Sequence, residues 1–172
     1  MKAKPSDLLV TAPVLGVAAG AESQLLQTAR RRLLGNYRPA PIVLDHGRGC
    51  EVFDTQGRRY LDFCAGVATV CLGHGHPELV RAIAEQAAQL MHVSNYVYNL
   101  ESIRLADELC DATGFDRAFF CNSGAEANEA LLKLARRHYF ELGEPRRQRL
   151  IAFERSFHGR TMGALTLTGN AL

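Results

Sequence analysis

The 172-residue sequence has almost no excess of charge of one sign. Lysine and arginine number 20, aspartate and glutamate 18, and the formal net charge is +2. Two basic clusters, at residues 30–32 and 146–149, contain no interleaved aromatic residues and are typical of solvated helix or loop faces. The charge balance therefore gives no reason to expect a nucleic acid or an anionic membrane as partner.

Cysteine pairs and long apolar runs are also missing. The five cysteines are odd in number, and no two of them have the C-x-x-C spacing, which argues against a zinc site and a disulfide framework and favours a reducing cytoplasm. The apolar stretch at residues 8–19 is too short to span a bilayer. Pro5, Asp7 and Pro13 weaken its likeness to a signal peptide, so we expect a loosely ordered N-terminal extension.

The distribution of apolar residues predicts both helices and strands. Four segments have helical periodicity, residues 22–34, 77–91, 101–111 and 125–142. Three short β-type runs, residues 42–44, 51–53 and 59–61, precede the second helix. The turn at residues 54–57 indicates a hairpin or small meander. Apolar runs at 117–121 and 149–153 enclose the last helix, and this strand–helix–strand order predicts a βαβ unit with a parallel sheet.

Residues 122–127, Asn-Ser-Gly-Ala-Glu-Ala, lie where a predicted strand ends and a helix begins. Unpaired backbone N–H groups at such a point favour an anion, Gly124 permits close approach, and the Ser123 hydroxyl adds a donor. The spacing matches neither the dinucleotide nor the nucleoside-triphosphate loop, which leaves a small phosphate monoester. The alternative is an ordinary helix start, capped by Asn122 or Ser123 with Glu126 completing a capping box. The residues alone leave both interpretations open.

Several strings in the sequence carry a family resemblance. They are residues 36–41, 54–57, 60–63, 72–77, 92–95, 119–130, 133–136 and 157–161. Together, in this order and spacing, they resemble the class III aminotransferases, and within these the acetylornithine and succinylornithine branch. The resemblance implies an α/β fold: the N-terminal portion of the aspartate-aminotransferase-like (fold type I) transferase fold, with a truncated three-layer α/β/α large domain.

The resemblance also implies a division of the chain and an activity. Residues 1–35 would form an N-terminal extension and helix, residues 36–94 a β-meander and helix segment, and residues 95–172 the incomplete start of the large domain. The intact parent would transfer an amino group from N-acetylornithine or a related ω-amino acid to a 2-oxo acid, 2-oxoglutarate. Alternatives are another class III transaminase or aminomutase, acting on ornithine or 4-aminobutyrate, and a non-catalytic remnant.

In the family the cofactor is pyridoxal 5′-phosphate, and the matching strings imply roles for five residues. Ser123, Gly124 and Ala125 would hold the cofactor phosphate, Phe157 would stack on its ring, and Arg160 would bind the substrate carboxylate. Without the resemblance, Phe157 would be interpreted as a core residue and Arg160 as a surface charge.

No catalytic residue is assigned, because the lysine that forms a Schiff base in the family lies far downstream of the matched strings. Lys133 has the setting of a solvated helix lysine. We therefore expect an inactive N-terminal fragment with exposed apolar faces, and weak or no cofactor binding. The resemblance further implies a homodimer, while the cysteine pattern and the charge balance lead us to expect a cytoplasmic chain with no membrane or nucleic-acid partner. His74 and His76 lack carboxylate or cysteine partners, so no metal site is expected.

Overall fold

The structure is a computed structural model that describes residues 21–169. The chain divides into two units, residues 1–92 and residues 93–172, which are described in turn. The apolar stretch at residues 8–19 lies outside the described residues.

The first described element is helix α1, Ala21–Arg32, and it confirms the helix predicted at residues 22–34. Glu22 in its first turn and the arginines in its last turn have the charge signs that the helix dipole favours at each end. The helix ends two residues earlier than its apolar pattern. Leu33 and Leu34 follow it and are 70% and 84% exposed.

An antiparallel meander follows α1. Its strands β1, Leu44–Arg48, β2, Glu51–Asp54, and β3, Arg59–Leu61, pair in the order β1-β2-β3. The second and third runs and the turn at residues 54–57 are confirmed. The strand predicted at residues 42–44 is wrong except for its last residue, because the Ile42 N–H bonds to the Ala40 carbonyl in a turn and pairing with β2 begins at Leu44.

A buried carboxylate organises the β2–β3 turn. Asp54 is only 2% exposed. Its oxygens accept hydrogen bonds from the N–H groups of Gln56 and Arg58, the Arg58 guanidinium and the Tyr60 hydroxyl, at 2.5–2.9 Å. Burial raises the pKa of Asp54, but the bonds from Arg58, Tyr60 and Gln56 outweigh it and lower the pKa to about 2. Arg58 also bonds to Glu22 of α1, which links that helix to the meander.

The chain next forms one left-handed turn, α2, Ala65–Ala68. Its four residues have φ between +46° and +61°, a conformation that costs non-glycine residues about 1–2 kcal/mol each. Asp62 accepts hydrogen bonds from the N–H groups of Cys64 and Ala65 at the start of this turn. Nothing in the apolar pattern predicts it.

Helix α3, Pro77–Gln89, completes the described part of the first unit and confirms the helix predicted at residues 77–91. Proline at its first position lacks the N–H group that would be unpaired there. The preceding loop contains His74, whose Nε2 lies 2.7 Å from a carboxylate oxygen of Asp62. Among residues 21–169 no group of three or more His, Cys, Asp or Glu side chains is arranged to hold a metal ion.

The second unit contains three α-helices in its described part: α4, Leu100–Thr113, α5, Gly124–Glu141, and α6, Met162–Thr166. A single 3₁₀ turn, Ser94–Tyr96, precedes them. Helices α4 and α5 confirm the predictions at residues 101–111 and 125–142, whereas α6 was not predicted.

The prediction of two strands in this unit is wrong. Segments 117–121 and 149–153 do not form strands, and the described residues contain no parallel strand pair. A strand requires a neighbour for its N–H and C=O groups, and neither segment is hydrogen-bonded to a neighbouring strand within residues 93–169. Their side chains are exposed accordingly, with Phe119 at 71% and Ile151 at 94%.

Candidate functional site

The N-terminus of α5 is capped as the sequence allows. Ser123 is the N-cap residue, and its Oγ accepts a hydrogen bond from the Glu126 N–H at 3.2 Å. The Glu126 carboxylate accepts in return from the backbone N–H of Asn122 at 2.7 Å, one residue before the cap. The capping interpretation is therefore correct for Ser123, and it leaves room for the anion interpretation because other donors remain.

Those donors are the N–H groups of Gly124 and Ala125. Neither has a hydrogen-bond acceptor among residues 21–169, and both stand at the positive end of an 18-residue helix. A Cβ built on Gly124 would meet no atom within 4 Å. No neighbouring atom of the described protein therefore requires glycine here, and the space beside its Cα is open to a ligand.

Phe157 and Arg160 lie at the same place. Together with Gly124, Ala125 and three further residues they line a depression of about 410 Å³. The further residues are Asn128, His158 and Gly159. The structure thus brings together four of the five predicted site residues, and the fifth, Ser123, directly precedes Gly124.

Close packing holds the 157–160 loop against α5. Gly159 is buried with φ +127°, and a Cβ there would lie 2.7 Å from the Cβ of Ala125 and 3.1 Å from that of Ala164. The Asn128 amide donates a hydrogen bond to the His158 carbonyl at 2.6 Å. A side chain at position 159 would push the loop away, so glycine is required for this approach.

A second anchor lies one residue further along α5. One carboxylate oxygen of Glu129 accepts hydrogen bonds from the Thr161 hydroxyl and from the N–H groups of Gly163 and Ala164, at 2.6–3.2 Å. The bond from Thr161 lowers the pKa of Glu129; burial opposes this, and the two N–H bonds and nearby Lys133 support it.

Sequence reasoning missed Asn128, Glu129 and Gly159. The available signal was weak: Ala125, Asn128 and Glu129 have the i, i+3, i+4 spacing of one helix face. That spacing does not reveal which later segment the face contacts.

No lysine of the described chain lines this depression. The sequence has three lysines, Lys2, Lys4 and Lys133, of which only Lys133 lies within residues 21–169. It is exposed and does not line the depression. It is nine residues beyond Gly124 along α5, a rise of roughly 13 Å at about 1.5 Å per residue. The interpretation of Lys133 as a solvated helix residue is confirmed.

The donor set fits a planar molecule that carries a phosphate. Free N–H groups at a helix start suit the phosphate oxygens, and an aromatic side chain 64% exposed at the depression offers a face for a ring. His158 Nδ1 is also buried without a hydrogen-bond partner among the described residues, and a bound polar group would supply one. Pyridoxal 5′-phosphate has these features.

Residues 35–171 match the class-III aminotransferase family, and the chain belongs to this family. More particularly, it is similar to the acetylornithine aminotransferase of Myxococcus xanthus. The two are 52% identical over 147 residues, which cover 86% of this chain and 37% of that protein.

Solved structures show the same kinship. The N-acetylornithine aminotransferase of Stenotrophomonas maltophilia is 42% identical, with a TM-score of 0.70 over 78% of this chain and 36% of that one. The ornithine aminotransferase of Toxoplasma gondii, reported with partial occupancy of PLP at its active site, is 30% identical. Its TM-score is 0.75, over 87% of this chain and 35% of that one.

These structures confirm the predicted fold class, the N-terminal portion of the fold type I aminotransferases. The chain spans little more than a third of the length of the relatives it matches. No helix among residues 21–169 is long and apolar enough to cross a membrane.

Proposed function

We propose that the depression beside α5 is the cofactor-binding part of a pyridoxal-phosphate-dependent transaminase. The observation that carries the proposal is that Gly124, Ala125, Phe157 and Arg160 line one depression at the start of one helix. Ser123, Gly124 and Ala125 bind the phosphate, Phe157 binds the ring, and Arg160 binds the substrate.

In this proposal the residues of the chain bind the cofactor and orient the substrate. When bound, pyridoxal phosphate would supply the electron sink that makes the C–H of the carbon bearing the transferred amino group acidic. The N–H groups of Gly124 and Ala125 bind its phosphate at the positive helix end, and Phe157 covers the ring and excludes water from that face. The planar guanidinium of Arg160 pairs with the substrate carboxylate and fixes the amino group's direction.

For the substrates, we propose N-acetylornithine or a related ω-amino acid as donor and 2-oxoglutarate as acceptor in the whole protein. The names of the relatives at 43–52% identity support the donor. A second candidate donor is ornithine itself, favoured by the likeness to the Toxoplasma gondii ornithine aminotransferase.

We assign binding but not catalysis to residues 1–172. The proton transfer at the carbon that bears the amino group requires a base beside the cofactor, and Lys133 does not line the depression. We therefore propose that the 172-residue chain alone does not transaminate and binds pyridoxal phosphate weakly or not at all. A cytoplasmic homodimer and the three-part division at residues 35 and 94 are further parts of this proposal.

The experiment is a donor panel on the protein expressed from the complete gene, with N-acetylornithine, ornithine and 4-aminobutyrate each paired with 2-oxoglutarate. We expect the highest kcat/KM for N-acetylornithine. Arg160→Gln should lower kcat/KM by about 100-fold, because a charge-paired carboxylate loses its partner. Arg104→Gln, on the exposed side of α4, is the matched control and should leave it unchanged. Equal activity of Arg160→Gln and Arg104→Gln would contradict the proposed substrate contact.

A further inference from the structure

The first turn of α6 is capped by a side chain from another helix. Thr161 occupies the N-cap position of α6, but its side chain bonds to no N–H group of that helix. Its hydroxyl donates instead to Oε1 of Glu129 at 2.6 Å. The same oxygen accepts from the N–H groups of Gly163, at 2.8 Å, and Ala164, at 3.2 Å. Glu129 thus has the role that an N-cap Ser or Asp has in most helices.

The approach of this carboxylate depends on a glycine. A Cβ on Gly163 would lie 2.7 Å from Oε1 of Glu129 and 2.8 Å from its Cδ, closer than real Cβ contacts. Gly163 has no positive φ that would require glycine for backbone reasons. The absent side chain therefore makes room for the carboxylate, and adding a methyl group would displace Glu129.

The contact bears on Arg160 because Arg160 directly precedes Thr161. On its other side, the carbonyl of His158 is held by Asn128 of the same helix. The backbone that carries Arg160 is therefore attached to α5 on both sides, by two consecutive residues of that helix. The N–H groups of Gly124 and Ala125 lie at the start of the same helix. One helix therefore holds both the backbone of Arg160 and the donors that we propose bind the phosphate.

We infer that Glu129 is a positioning residue that sets the place of Arg160 relative to the cofactor-binding end of α5. The inference rests on the proposed function, because it assigns Glu129 a role in binding the substrate carboxylate. Glu129 does not line the depression, and it acts through Thr161 and the first turn of α6. Loss of its carboxylate leaves the phosphate donors in place and misplaces the carboxylate-binding side chain.

The test uses the protein expressed from the complete gene and the variant Glu129→Ala. We expect KM for the amino donor to rise about tenfold to a hundredfold, as small misplacements of binding groups do, with a smaller change in kcat. The Kd for glutarate, measured by calorimetry as a non-reacting carboxylate, should rise in parallel. The Kd for pyridoxal phosphate should stay within about threefold, because the donors at Gly124 are unaffected. Glu141→Ala, an exposed glutamate on the same helix, is the control.

Two further variants separate positioning from folding. Gly163→Ala should reproduce the rise in KM while keeping the carboxylate. Added to Glu129→Ala it should have little further effect, since both changes remove one contact. Glu129→Gln keeps an acceptor oxygen and should restore most of the affinity for glutarate. If Glu129→Ala fails to fold, KM and the glutarate Kd of Gly163→Ala test the same contact.

The outcomes distinguish the two ideas. If the unmodified protein does not transaminate, the proposed function fails and this inference fails with it. If the unmodified protein is active, and Glu129→Ala and Gly163→Ala melt at a lower temperature with unchanged KM and glutarate Kd, the role is purely structural. That result would overturn the inference and leave the proposed function intact.

Discussion

At the scale of single residues, Asp54 is one of two carboxylates in the described part of the first unit, with Asp62, whose lowered pKa makes the fold sensitive to acid. Its carboxylate is buried, and it accepts hydrogen bonds from Arg58, Tyr60 and Gln56. These bonds outweigh the opposing effect of burial and lower its pKa from 3.8 to about 2. The same guanidinium reaches Glu22 of α1, so protonating Asp54 weakens the attachment of the helix as well as the turn.

The stability of the first unit should therefore fall in acid. Because the folded pKa lies below the unfolded one, the stabilisation is complete above about pH 5 and is lost as the pH falls toward 2. In urea titrations, we expect Asp54→Asn to lower the free energy of unfolding at neutral pH and to flatten the fall between these limits. Asp45→Asn, at an exposed position, is the control and should show the same loss of stability in acid as the parent. An identical acid dependence in the parent and Asp54→Asn would contradict this assignment.

Only some residues of the candidate site could be predicted from the sequence. Gly124 and Ser123 were predictable from the local chemistry of a helix start, and Phe157 and Arg160 from family strings. Asn128 and Glu129 were not, because their partners lie 30 to 35 residues later in the chain. A polar residue on a helix face gives no local sign of the loop it will hold.

At the scale of elements, the helices were predictable to within a few residues, but the strands of the second unit were not. Helical hydrogen bonds join residues four apart, so the apolar period and the end signals are local. The meander was also predictable, since its strands are neighbours in sequence. Segments 117–121 and 149–153 have strand-like sequences, yet a parallel strand depends on partners from elsewhere in the chain, and the described residues contain none.

Helix α4 offers a test at this scale. Asn99 is its N-cap, and the side-chain oxygen accepts from the Ser102 N–H at 2.8 Å. We expect Asn99→Ala to lower the free energy of unfolding by about 1 kcal/mol. Asn99→Asp should keep the free energy of unfolding of the parent, because aspartate also caps helices. Urea unfolding, with amide exchange in the first turn of α4, measures both. Equal losses in the two variants would argue against a capping role.

At the scale of the whole molecule, the described chain exposes many large apolar side chains. Phe63, Tyr96 and Ile151 are each more than 90% exposed, and Phe153 is 83% exposed. Exposed large apolar side chains in this number favour aggregation or interaction with other protein surfaces. Since the chain spans little more than a third of its relatives' length, we expect the 172 residues alone to aggregate more readily than the relatives do.

The family and fold were predictable because many strings recur in one order along the chain. No single string would have been sufficient: the Ser-Gly-Ala helix start is equally an ordinary cap. The depression adds a physical argument, because Gly124 and Phe157 are 33 positions apart in sequence and line one surface. What binds there is the central claim of the account.

The most direct measurement is the Kd for pyridoxal 5′-phosphate of the protein expressed from the complete gene, compared with Gly124→Val. A Cβ at position 124 would meet no protein atom within 4 Å, but a side chain there would occupy the place proposed for the phosphate. We expect the Kd to rise about tenfold or more, because the side chain keeps the phosphate from the N–H donors and a charge-assisted hydrogen bond is lost, while the exposed Ala127→Val binds normally. Equal affinities in all three proteins would contradict a phosphate site at the start of α5.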